Sequence, residues 1–79
     1  MNLQIIIPSH AMEKVDVPRR IALQNSSANC SLYKLKSYGD WIYADGLYLL
    51  IKNYIDEDYS WYAIVDSDYN EIFGWQQDD

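Results

Sequence analysis

A chain of 79 residues with a formal net charge of −6 makes one domain with a thin core, because so short a chain buries only about 60% of its unfolded surface. Hydrophobic content of 49% and aromatic content of 15% exclude a disordered chain, and the length leaves no room for the insertions that build a deep catalytic cleft. The one cysteine, Cys30, excludes an internal disulfide and points to a reducing compartment.

Taken in order, "LQIII" before Pro8 reads as a strand that Pro ends. Its apolar run is too short for a membrane span or an export signal and has no basic lead, so a cytoplasmic protein is expected. "SHAMEKVDV" has weak periodicity and reads as a loop or short turn. "RRIALQ" after Pro18 fits a short helix with Asp16 near its start, or a strand over Arg20–Leu23; the strand is the expectation. "NSSAN" is a cluster of turn formers. "CSLYKLKSY" alternates, with Leu32 and Lys34 on one face and Tyr33, Leu35 and Ser37 on the other.

"WIYADG" reads as a short strand running into an Asp45-Gly46 turn, since Asp-Gly tolerates positive φ. In "LYLLIKNY", Leu47, Leu50, Ile51 and Tyr54 also fit helical spacing, but the run is short and lies between turn signals. The strand reading puts Leu47, Leu49 and Ile51 inward and Tyr48, Leu50 and Lys52 outward. "IDEDYS" is a polar hairpin loop. "WYAIVDS" alternates again, Tyr62, Ile64 and Asp66 against Trp61, Ala63 and Val65. "DYNE" turns, and "IFGW" closes as a last short strand. Short strands at close spacing predict a small all-β barrel.

Charge is divided along the chain. Residues 1–39 carry +3 and residues 40–79 carry −9. The acidic half repels nucleic acid and membrane surfaces and attracts basic partners; it also serves plain solubility.

The segments "ALQNSSANCSLYKL", "DGLYLLIKN", "SWYAIVDS" and "EIFGW" resemble, in that order, the opening segment, the Gly turn with central strand, the Trp-aromatic strand and the closing element of a bacterial SH3-like domain. The resemblance spans residues 21–76. It implies a small SH3-like antiparallel barrel over residues 19–79, preceded by an N-terminal extension, residues 1–18. It further implies a non-catalytic module that binds peptides or glycans. A cell-wall role is disfavoured by the expected lack of an export signal.

No constellation of catalytic or metal-binding residues emerges. "DSDYNE" opens like a calcium loop, but Glu71 and Gln77 stand where Gly and Glu are required, so a solvated turn is expected. His10, the one histidine, has no acid placed to orient it, and Cys30 reads as a small apolar residue. Asp56, Glu57 and Asp58 read as a solvated charge run. There is no phosphate loop and no cysteine set for zinc. No enzyme, metal or cofactor is expected.

The aromatic residues remain. The resemblance puts Trp61 at the strand start that faces a ligand in SH3-like barrels. Tyr59, Tyr48, Tyr54 and Trp75 are candidates for the same surface, rimmed by Asp56, Glu57 and Asp58. By strand parity, a core position for Tyr62 makes Trp61 surface. An aromatic anchor with an acidic rim fits a basic or Pro-rich protein segment. The alternative is an acidic phage-type inhibitor, a DNA-mimic decoy that blocks a nucleic-acid-binding host defence protein. The +3 half argues against a full mimic.

Overall fold

Five antiparallel strands make one sheet whose spatial order is the chain order: β1 (Met12–Val15), β2 (Asn29–Leu35), β3 (Tyr48–Tyr54), β4 (Tyr59–Val65) and β5 (Glu71–Asp78). A short helix, α1 (Arg19–Gln24), joins β1 to β2. The computed structural model describes residues 11–36 and 45–78. Among them β1 and β5 each have one strand neighbour, so the sheet is all-β as expected but open, where a closed barrel was anticipated. The expected "LQIII" and "WIY" strands, Ser37 and His10 lie outside the described residues.

Two local expectations are corrected. Met12–Val15 is a strand, paired to β2 with Met12 opposite Leu35 and Val15 opposite Leu32. Part of the anticipated extension thus belongs to the sheet. Its one apolar and one charged residue per face hide the alternation, as suits an edge strand. Residues 19–24 are helix, against the strand reading. The Pro18 carbonyl accepts the amides of Ile21 and Ala22 at 3.0 and 3.1 Å, and Pro18 at φ −57° presets the first turn. At the other end the Asn25 side-chain amide donates to the Ile21 carbonyl at 2.9 Å. Val17 and Ile21, four apart, both turn toward the sheet.

The sheet has two apolar faces. On the helix face, Ile21 packs with Leu32, Leu50, Ala63 and Val65, and Cys30, Tyr48, Trp61 and Tyr69 lie against them. On the far face, Leu35 and Leu49 are buried among Tyr33, Ile51, Tyr62, Ile64 and Trp75. Leu50, expected to point outward, is buried like Leu49. The continuous run "LYLLI" is that of a central strand covered on both sides, where alternation disappears. The deepest positions of β4 are Ala63 and Val65, at 0% and 1% exposure. They share their face with Trp61, so the premise that Tyr62 fills the core while Trp61 stands outside it does not hold. Both are half-buried.

The turns follow their chemistry. Gly46 has φ +84°, and Asp45 does not share the left-handed region, so the turn is not the doubly left-handed kind. The β3–β4 hairpin closes through a 3₁₀ turn, Ile55–Glu57, and Asp58 at φ 57°, a conformation Asp tolerates. In the β4–β5 turn, Asp66 Oδ1 accepts the amides of Asp68 and Asn70 at 2.9 and 3.0 Å. That oxygen is committed to the turn.

Candidate functional site

The residues singled out in the sequence do not form one surface. Trp61, Tyr59 and Tyr54 share the helix face at the β3–β4 hairpin end, where Tyr54 and Tyr59 are register partners and stack at 4.9 Å between ring centroids, 23° apart in plane. Asp56, Glu57 and Asp58 are exposed on the hairpin tip beside them, with Ile55 at 61% exposure. The structure brings these residues together: an aromatic platform, one apolar tip residue and three carboxylates.

Tyr48 is on the same face but at the other end of β3, about 20 Å away at ~3.3 Å per residue. Its ring packs on Tyr69 at 5.4 Å, and it belongs to the packing under α1. Trp75 is on the far face, with Tyr62 at 5.6 Å and Phe73 at 5.4 Å between centroids. A β-bulge separates Trp75 from Trp61. Val65 pairs with Glu71, but Ile64 pairs with Phe73, so Ile72 is an extra residue in β5. Without it, continued pairing from Val65 and Glu71 sets Trp75 opposite Trp61. With it, Trp75 stands opposite Tyr62 and faces the other way.

Trp61 itself reaches across its neighbour strand. Its indole Nε1 donates to Glu71 Oε1 at 2.8 Å, and its ring lies on Gly74, where a Cβ would come within 2.7–2.9 Å of three indole atoms. The missing side chain at Gly74 is what lets the ring cross β5. Neither Glu71 nor Gly74 was singled out for the site. A diagonal Trp–Gly contact depends on strand register, which no local pattern encodes.

The electrostatics follow from the strand order. Because strands neighbour one another in chain order, the sequence asymmetry becomes a spatial one. Lys14, Arg19, Arg20, Lys34 and Lys36 lie on or beside β1, α1 and β2. Residues 53–79 contain no Lys or Arg and eight acids. Arg20 reaches the acidic side: its Nη2 donates to the Asp68 carbonyl at 2.9 Å, and its guanidinium sits 5.6 Å from the Tyr69 ring centre. Lys52, on β3, is the register partner of Trp61. Burial, and then the neighbouring Tyr59, Cys30 and Glu57, push the Tyr54 phenol up. Burial raises the Cys30 thiol against the opposing pull of Lys52, so the thiol is protonated near neutrality and is a poor nucleophile.

Among the described residues no three His, Cys, Asp or Glu converge as a metal-binding set, and no helix is long and apolar enough to cross a membrane. No family model, curated protein or solved structure matches the chain.

Proposed function

We propose that this protein is a small, non-catalytic, SH3-like interaction module that binds a basic or Pro-rich segment of another protein at the β3–β4 hairpin end. The observation that carries this reading is the stacked Tyr54–Tyr59 pair at 4.9 Å next to three exposed carboxylates and an exposed Ile55. Stacked, half-buried tyrosines present flat apolar area with little rotamer entropy to lose. Pro rings and Lys or Arg stems pack on such area, and cations gain from the ring faces. The acids steer a basic segment toward the platform.

A titration of a synthetic peptide with alternating Lys and Pro tests this reading by calorimetry. Tyr54→Ala and Tyr59→Ala each weaken binding by about 2 kcal/mol, the usual size for an aromatic anchor. Changing Asp56, Glu57 and Asp58 to Asn or Gln mainly slows association. Equal binding by wild type and both tyrosine variants removes the platform from the reading.

The acidic-decoy reading draws support from the concentration of acids on one side of the sheet. It predicts binding that collapses as salt rises and is indifferent to Tyr54 and Tyr59. The cations on β1, α1 and β2 weigh against it.

A further inference from the structure

We propose that the open edge of β5, over Ile72–Trp75, receives the basic partner segment as an added sixth strand, with the Trp61 indole as one wall of its seat. This rests on the binding reading above and extends it: from the hairpin end, beside Asp78, the segment continues along β5 in extended conformation. Three observations point there.

The first is the edge. β5 is the last strand in the order, and β4 is its single strand neighbour among the described residues. Alternate amides and carbonyls of such a strand point away from the sheet and template another strand. Edge strands are ordinarily blunted by short length, Pro, charged side chains or a bulge. β5 has eight residues and neither Pro nor Lys; its bulge at Ile72 lies at the β4–β5 turn end, and from Phe73 to Asp78 its pairing is regular. It exposes Ile72 at 60% and Phe73 at 43%.

The second is the pair Trp61–Gly74. A side chain on residue 74 would block the indole. With glycine there the ring lies over β5, its N–H on Glu71 of the same strand. A strand added about 4.8 Å beyond β5 lies beside this ring-covered stretch on the helix face and beside Phe73 and Trp75 on the far face.

The third is charge. The hairpin tip Asp56–Asp58 flanks one end of β5, next to Tyr59, whose register partner is Asp78. Asp66, Asp68 and Glu71 flank the other. An extended segment with apolar residues in its middle and cations at both ends complements this layout. A second copy of the chain would bring two acidic edges together, and like charges set opposite destabilise a strand pair.

The probe is an eight-residue peptide of alternating Val and Thr with Lys at both ends, titrated into isotope-labelled full-length protein. Two controls are the same peptide with every second amide N-methylated, which removes ladder donors, and one with Glu ends. The expected result is that the Lys-ended peptide slows amide exchange in Ile72–Trp75. N-methylation or Glu ends each weaken binding by at least about tenfold. If the N-methylated peptide binds equally and β5 amides are unchanged, the added-strand proposal falls while the hairpin-end reading stands. If no Lys-ended peptide binds, including the Lys/Pro peptide above, both fall. Slow exchange, before any peptide is added, of those Ile72–Trp75 amides that point away from β4 also overturns the proposal. If that protection varies with protein concentration, a second copy holds the edge; if not, the chain covers its own edge.

Discussion

The Trp61 indole occupies the space that a side chain on Gly74 would need: a Cβ there would stand 2.7 Å from its Nε1. The contact is diagonal, since Trp61 is opposite Gln76 and Gly74 is opposite Ala63. Gly74 is not at a positive φ, so its substitution is resisted by crowding alone. The ring cannot swing away freely, because Glu71 holds its N–H at 2.8 Å. Gly74→Ala is expected to destabilise by about 1–3 kcal/mol, as overpacking does. In the Trp61→Ala background the same change costs little, a coupling of about 1 kcal/mol or more. Urea unfolding of the four proteins measures it, and additive costs would show that ring and glycine are independent.

Gly46 gives the opposite case. It has φ +84°, and among the described residues nothing lies within 4 Å of a Cβ built there. The cost of Gly46→Val is therefore one of backbone conformation, about 1–2 kcal/mol, and Gly46→Asn recovers most of it. Thermal melts of the two variants test this. Equal loss for Val and Asn would point to a lost contact and away from φ.

Arg20 ties α1 to the β4–β5 turn through the Asp68 carbonyl and the Tyr69 ring. Tyr69 holds φ 65°, an unfavourable conformation for a bulky residue, and its ring contacts with Tyr48 and Arg20 offset that strain. Arg20→Ala is expected to cost about 1 kcal/mol. Arg20→Lys restores less than half, since an ammonium lacks the planar fork that stacks and donates together. The readouts are unfolding free energy and faster amide exchange in α1. A full rescue by Lys would reduce the contact to simple charge.

Alkaline stability depends on two half-buried acids. Cys30 and Tyr54 are both raised, from 9.0 and 10.0, chiefly by burial. Each binds its proton more tightly in the folded state, so its contribution is complete below the unfolded value. It is lost as pH rises through the folded value. Stability is expected to start falling near pH 9 and more steeply above 10. Cys30→Ser flattens the first part and Tyr54→Phe the second. Urea midpoints across that range check it, and unchanged slopes in both variants would place the titration elsewhere.

The alternation in "CSLYKL" and "WYAIV" made β2 and β4 legible, and the Asp45-Gly46 and "IDED" turns bounded β3. Elements that draw their stability from neighbours were not legible. β1 is four residues of mixed character and exists because β2 offers it a register. α1 is specified by a Pro18 carbonyl and an Asn25 side chain, contacts too local to leave a periodicity in six residues. Within the candidate site, Tyr59 and Trp75 were both grouped with Trp61. Tyr59 shares its face, whereas Trp75 does not, because one extra residue, Ile72, inverts the parity of everything after it in β5. Counting residues cannot detect a bulge whose position is chosen by packing.

The strand order has a kinetic consequence. Each strand neighbours the one before it in the chain, and the last two connections span only residues 55–58 and 66–70. Closing so short a loop takes roughly 10–100 ns and a hairpin about 1–10 μs, so β3, β4 and β5 can zip in sequence without a distant encounter. A meander of this kind is expected to refold on the order of milliseconds, faster than all-β folds that rely on long-range pairing. Gly74→Ala, seated in the last hairpin, would slow refolding if that hairpin forms in the transition state. It would speed unfolding alone if the hairpin forms afterwards. Stopped-flow refolding followed by tryptophan emission separates the two orders of assembly.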